Sequence, residues 1–314
     1  MKILCVGTVV CDITVKPVPK DIFELGTTRI ELLQIMGGGD ASNAASDLVV
    51  LGDEPRLIGV VGDDIFGRQL LEILKGRNVD TGHIRIQRGV NTSSTVVLIA
   101  SDGERSFCYR PGSNEDLRES DVTNEDIAWC DHVHIASAMR LTSMDGEGVA
   151  KLFRRAHAAG KTTSMDLTVD HDDIWLPKIQ EPLHHCDIFI PSDYEVSRVC
   201  GLTDPVEMKE FFRPYGLKVF GVKLGARGVY LTDFENDYRI PTLLEGTPVD
   251  TTGAGDAFCA AFVSAYKRGY SIEACGHIAS AAACFVISEV GTVAGMKDFD
   301  TLKKLVEDSG RSLD

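Results

Sequence analysis

No pair among the nine cysteines of this 314-residue chain has the C-x-x-C spacing, and no His/Cys cluster has zinc-finger spacing. The thiols are scattered and odd in number, which excludes a disulfide scaffold and reads as free, mostly buried cysteines in a reducing compartment. No apolar run approaches the ~20 residues of a membrane span. The opening Met1–Gly7 run is too short for a signal peptide and lacks a cleavage site, so a cytoplasmic protein is expected. Positive charge is scarce: 32 basic residues face 47 acidic ones, a net charge of −15. Such a field repels nucleic acid and anionic membranes, though a local site can still hold one phosphorylated ligand. Neither the G-x-x-x-x-G-K-[ST] loop nor G-x-G-x-x-G occurs. After the first strand, Gly7 has no second glycine at the spacing a Rossmann dehydrogenase needs. Linkers and internal repeats are absent too, which leaves one domain over residues 1–314.

What is present is ordinary globular material, 44% hydrophobic and 25% charged, with strand and helix patterns in alternation. Short β-branched runs at Lys2–Val6, Arg56–Val61, His132–Ile135, Thr162–Asp166, Asp187–Ile190 and Lys218–Leu224 read as buried strands. Amphipathic segments near Asn43–Leu51, Phe66–Lys75, Gly146–Ala159, Tyr194–Cys200 and Val206–Tyr215 read as helices. Gly52, Gly76, Gly160, Gly201 and Gly216 suit left-handed caps at their ends. This alternation implies parallel pairing with right-handed crossovers, an α/β sandwich. Two stretches, about 12–36 and 84–110, are β-rich without helices and predict a small antiparallel flap. Within the second, Thr95–Ile99 and Arg105–Arg110 flank a Gly103 turn as a hairpin. Ala254–Arg268 and Ile272–Ile287 read as buried helices.

The segment Asp250-Thr251-Thr252-Gly253-Ala254-Gly255-Asp256-Ala257-Phe258 is the most informative. Small residues at 253–255 run into a helix, and a glycine-rich turn at a helix N-terminus presents free N–H groups and the positive dipole end. An acid beside such an anion site fits a proton acceptor for a substrate hydroxyl, with the N–H groups steadying a transferring phosphoryl group. The same spacing also suits a well-capped helix after a tight turn. The helix N-terminus is expected to keep Asp256 ionised, a weak base.

That segment resembles the C-terminal signature of the ribokinase-like (PfkB) carbohydrate kinases. Gly37-Gly38-Gly39-Asp40-Ala41-Ser42-Asn43-Ala44-Ala45 is similar to the family's N-terminal G-G-x-x-x-N-x-A pattern. Val61–Gly67 matches a third block, and Gly103-Glu104-Arg105 falls where the lid hairpin lies. The resemblance implies a three-layer α/β/α sandwich with a small β-sheet lid, and phosphorylation of a hydroxyl, commonly the primary one, by ATP with Mg²⁺. Asp256 would be the base, and Gly253, Ala254 and Gly255 the anion hole. Asp12, Gly38, Gly39 and Asn43 would meet the sugar: the glycines by backbone contact, Asp12 and Asn43 by hydrogen bonds to hydroxyls. Each also has a plain structural reading, Asn43 as a helix-start residue and Asp12 as an exposed turn acid. On the nucleotide side, Lys223, Gly225 and Gly228 would form the loop beneath the phosphates, unless Lys223 is simply a solvated strand end. Ser280 falls near the adenine position, where packing is the competing role. A potassium ion beside the Asp250–Thr252 turn and a homodimer through the lid are further expectations.

The chain departs from the family in two places. The N-x-x-E pattern reads Ser192-Asp193-Tyr194-Glu195, leaving Glu195 to act on the metal through water. The D-x-N-x-R segment reads Asp166-Leu167-Thr168-Val169-Asp170, and an acid at 170 counts against an anionic sugar. Tyr109 and Arg110, in Tyr109-Arg110-Pro111-Gly112-Ser113, echo the Y-R-x-x-S of kinases of keto-deoxy sugar acids. A neutral monosaccharide such as a ketose or pentose is the expected substrate, with ATP as partner. The alternatives are a nucleoside, a 2-keto-3-deoxy sugar acid, or a non-catalytic sugar-binding homologue.

Overall fold

The computed structural model describes residues 1–244 and 246–313. In its first half the elements are β1 (Lys2–Gly7), β2 (Val10–Lys16), β3 (Leu32–Gly38), α1 (Asp40–Val50), β4 (Glu54–Gly62), α2 (Ile65–Gly76), β5 (Ile84–Gln87), β6 (Ser94–Ile99) and β7 (Arg105–Arg110). Then come α3 (Asn124–Trp129), β8 (His132–Ala138), α4 (Glu147–Ala158), β9 (Thr162–Leu167), α5 (Leu176–Leu183), β10 (Ile188–Phe189), α6 (Asp193–Cys200) and α7 (Pro205–Phe212). The chain closes with β11 (Val219–Lys223), β12 (Val229–Thr232), β13 (Asp237–Ile240), α8 (Ala254–Lys267), α9 (Ile272–Val286) and α10 (Phe299–Asp308).

Alternation along β1 builds the layers. Ile3 and Cys5 enter the core beneath α1, α8 and α9, while Leu4 and Val6 enter the core beneath α4. All four are fully buried, and each aliphatic side chain so buried contributes about 1.5–3 kcal/mol. The large sheet runs β13-β12-β11-β10-β9-β8-β1-β4-β5. Its strands are parallel except at the β11–β12 and β12–β13 pairings. Helices on both faces make the three-layer α/β/α sandwich. A second sheet, β3-β2-β6-β7, stands apart as the lid. The β6–β7 hairpin closes as its sequence predicts, pairing Ile99 with Arg105 and Ser94 with Arg110.

Four local expectations change. The small sheet is mixed rather than antiparallel, because β2 pairs in parallel with β6. Ile84–Gln87 lies within the stretch assigned to the flap, yet it pairs in parallel with Gly59–Gly62 as the edge of the large sheet. Gly52, Gly160, Gly201 and Gly216 all take positive φ, but Gly76 stays helical and Asn78 takes the left-handed turn instead (φ +60°). The β12–β13 hairpin carries no distinct alternation signal and was not anticipated. Asp64 does more than its motif suggests. It caps α2 by accepting from Gly67 N (2.8 Å), and it also accepts from the Thr92 hydroxyl (2.6 Å), fixing the chain that leads into the lid.

Candidate active site

The C-terminal ends of β1, β8, β9 and β11 meet the N-termini of α1 and α8, where open α/β sheets place their ligands. At the start of α8, Gly253 has φ +83°, and a methyl group there would collide with the Thr292 carbonyl. Only glycine makes this turn. It leaves the N–H groups of Gly255 and Asp256 without an acceptor among the described residues, at the positive end of a 14-residue helix.

Asp256 projects from the same turn. Its Oδ2 accepts from Asn43 Nδ2 at 2.8 Å, which ties α8 to α1. Burial pushes its carboxyl well above the ordinary range, Asp40 adds to the rise, and the Asn43 bond opposes it. Burial and the neighbouring Asp40 thus act on Asp256 against the helix dipole. Asn43 is 3% exposed, and its Oδ1 is buried with no hydrogen-bond partner. An orphaned buried acceptor marks a place where a donor is due.

The glycines of the first motif make room for the chain itself. A methyl at Gly38 would strike the Asp12 carboxylate, and at Gly39 (φ +92°) it would lie 2.6 Å from the Thr8 carbonyl oxygen. Asp12 on β2 is not an exposed turn acid. Burial raises its carboxyl to about 6, with Asp40 adding to the rise and the Thr95 hydroxyl and Arg77 pulling down.

Lys223 is neither solvated nor free. Its ammonium meets Asp166 Oδ2 at 2.6 Å, lies 3.7 Å from Cys259 Sγ, and would stand 3.2 Å from a Cβ at Gly255. It thus sits directly beneath the turn at 253–255, and despite burial its acids hold its pKa above the usual lysine value. Glu195 joins this cluster. It forms a reciprocal cap with Ser192, accepting from Ser192 N at 2.9 Å, and burial with the nearby Asp166 raises it to about 7. Asp193 pairs outward with Arg227 at 2.9 Å. Among the described residues, no three His, Cys, Asp or Glu side chains converge as metal ligands. This set fits Mg²⁺ held through a carboxylate, water and phosphate, the way that ion keeps its waters.

The remaining candidates are dispersed. Gly225 (φ +59°) and Gly228 (φ +84°) flank a 3₁₀ turn, and Gly228 is required because a methyl would strike the Ile240 carbonyl. Ser280 lies buried within α9. Tyr109 stacks on His171 with ring centroids 6.2 Å apart, under the Arg140 guanidinium at 4.7 Å. Arg110 is exposed at the end of β7. Sequence reasoning missed Arg105, whose Nη1 donates to Asp250 Oδ1 (2.7 Å) and Thr252 Oγ1 (2.8 Å), latching the lid onto the loop before the anion site. The Gly-Glu-Arg turn was its signal. Ser137 and Arg140, at the end of β8, had none.

A family model described as pfkB family carbohydrate kinase matches residues 1–298. A nucleoside kinase from Methanothermobacter thermautotrophicus is 26% identical over 274 residues, covering 87% of this chain and 85% of that one. A ribokinase from Bacillus subtilis is 28% identical over 284 residues, covering 90% of each. The structure of Arabidopsis thaliana ribokinase complexed with ribose and ATP superposes with a TM-score of 0.83, at 28% identity over 98% of both chains.

Proposed function

Since the chain belongs to the pfkB family of carbohydrate kinases, enzymes that phosphorylate a sugar or nucleoside, we propose that its own acceptor is a neutral monosaccharide such as a ketose or pentose, phosphorylated on its primary hydroxyl. ATP, bound with Mg²⁺, supplies the phosphoryl group. Asp256 accepts the hydroxyl proton, and the N–H groups of Gly255 and Asp256, backed by Lys223 below, hold the charge of the transferring group in place. Asp12 and Asn43 orient the sugar, and the lid sheet excludes water.

One observation carries the reading: Asp256 stands in the turn that presents the unpaired N–H groups, held there by Asn43 at 2.8 Å, and burial with Asp40 beside it makes its carboxylate a readier proton acceptor than an ordinary aspartate. The neutral substrate is favoured by Asp170. Its carboxylate accepts from the backbone of Ile174 and Trp175 and pairs with Lys178 at 2.6 Å, so it leaves no cation there for a sugar acid. The nucleoside reading finds less support, because Tyr109 on His171 is the only ring stack made by a candidate substrate residue among the described residues. The cysteines, mostly buried and with no disulfide among the described residues, fit a cytoplasmic protein, and no helix among the described residues is long and apolar enough to cross a membrane. Edge strand β3 of the lid leaves Leu33 and Ile35 exposed at 66% and 41%. A second copy would cover them, and light scattering that finds only monomer removes this part of the proposal.

The test is ADP release with Mg-ATP against ketoses, pentoses, nucleosides and 2-keto-3-deoxy sugar acids. Turnover highest on one neutral sugar is expected. Turnover confined to nucleosides or sugar acids overturns the substrate assignment, and binding without turnover overturns the kinase.

A further inference from the structure

We propose that Asp40 determines specificity: its free oxygen takes a hydroxyl of a neutral sugar and turns away substrates that carry a carboxylate or phosphate there. This rests on the neutral-sugar reading and names the side chain that enforces it.

Asp40 opens α1, between Gly39 and the Asn43 that holds Asp256. A ring of hydrogen bonds fixes one side of its carboxylate. Asp40 N donates to Thr8 Oγ1 at 3.1 Å, the Thr8 and Ser137 hydroxyls meet at 2.5 Å, and Ser137 donates to Asp40 Oδ2 at 2.6 Å. Each hydroxyl in the ring can donate once. The other oxygen, Oδ1, accepts nothing among the described residues.

The partner that orients Asp40 is held under strain. Ser137 has φ +69° and Met139 φ +93°, at the irregularity where the pairing of β8 with β9 shifts between Ile135 and Ala138. Non-glycine residues adopt this region only where the surroundings enforce it, and such residues gather at functional sites. Here the enforced turn aims the Ser137 hydroxyl at Asp40.

The charges around Asp40 define what it can bind. The Asp12 carboxylate abuts Gly38 and Asp256 is tied to Asn43, on either side of Asp40 in the chain, and the field of Asp40 raises both acids. The cations nearby are already engaged: Lys223 with Asp166, Arg140 with the Val169 carbonyl and the Tyr109 ring, and Arg77, which faces Asp12 and Asp47, with the Gly37 carbonyl at 3.2 Å. A wall of carboxylates offers acceptors, which suit hydroxyl donors and repel a second anion.

The experiment compares wild type, Asp40→Asn and Ser137→Ala in steady-state kinetics on a neutral ketose or pentose, a 2-keto-3-deoxy sugar acid and a sugar monophosphate. In Asp40→Asn, KM for the neutral sugar is expected to rise ~10-fold or more, the range for a lost hydrogen bond to a charged group, while kcat moves by one common factor on every substrate because Asp40 also raises Asp256. The neutral-to-anionic ratio of kcat/KM narrows by ~10-fold, and KM for ATP stays put. Ser137→Ala moves the same ratio in the same direction by a smaller factor, and serves if Asp40→Asn fails to fold. An unmoved ratio, or kcat and both KM values failing together, overturns the assignment and leaves the neutral-sugar kinase standing. Wild type that turns over only anionic sugars overturns both. If no sugar is turned over, the kinase reading fails, and calorimetric titration of the neutral sugar into wild type and Asp40→Asn decides the Asp40 assignment: equal affinities overturn it.

Discussion

Replacing Asp12 by asparagine is expected to stabilise the protein at and above neutral pH while weakening sugar binding. Asp12 lies on strand β2 of the lid, its carboxyl displaced from an ordinary 3.8 to about 6, chiefly by burial. A folded state that holds the proton more tightly than the unfolded chain is disfavoured once that proton is lost. The penalty is absent near pH 3.8, grows as pH rises, and is complete above the folded value of about 6. At ~1.4 kcal/mol per tenfold change in proton affinity, and allowing for the part of the carboxylate still in contact with water, it amounts to about 2–3 kcal/mol. Asparagine keeps the shape and cannot ionise. Urea midpoints of wild type and Asp12→Asn, measured between about pH 4.5 and pH 8, are expected to diverge with rising pH, the variant ahead by that amount at the alkaline end. A pH-independent difference, or a variant less stable at pH 8, refutes the reasoning. Kinetics on the same protein should show a higher KM for the sugar, because the stabilising change removes an acceptor.

Three further outcomes follow from the site. Lys223→Ala leaves Asp166 buried without its partner and is expected to cost about 3–5 kcal/mol in denaturant unfolding, far more than a paired replacement by Lys223→Met with Asp166→Leu. Gly253→Ala forces a side chain into φ +83° and against the Thr292 carbonyl; a loss of about 1–3 kcal/mol in stability should accompany a drop in kcat, since the anion-binding turn itself is displaced. In pH–rate profiles, kcat/KM rises through the deprotonation of Asp256, and its acid limb should lie above the ordinary aspartate range near 3.9 because burial and Asp40 raise that carboxyl; a limb at or below that range contradicts the assignment.

The fold was legible where local pattern and global packing agree. Buried strands such as His132–Ile135, followed by amphipathic helices ended by glycine, leave little choice but a parallel sheet with helices on both faces. The β6–β7 hairpin was legible through its Gly103 turn. Ile84–Gln87 was not, because four residues of mixed burial read alike at the edge of either sheet. The site was legible in its glycines and in Asp256, whose spacing is local. Its electrostatics were not. The Lys223–Asp166 pair joins residues 57 apart, so neither side chain alone announces the other, and desolvation of Asp256 depends on how α1 and α8 pack. The glycines at 38 and 39 carry a similar lesson: close backbone approach was expected, but its first beneficiaries are Asp12 and Thr8 of the chain itself. Ser137 bears no sequence mark, since its strain comes from a shift in strand pairing.

The role proposed for Asp256 is to take the proton as the phosphoryl group is transferred to a neutral sugar. It is tested most directly by single-turnover rates of wild type and Asp256→Asn at saturating Mg-ATP and sugar, with binding of both ligands measured alongside. The account predicts a fall of ~10²–10⁴ in the rate with ligand affinities nearly unchanged, the range for losing a positioned general base. A variant that turns over within a factor of a few of wild type contradicts it.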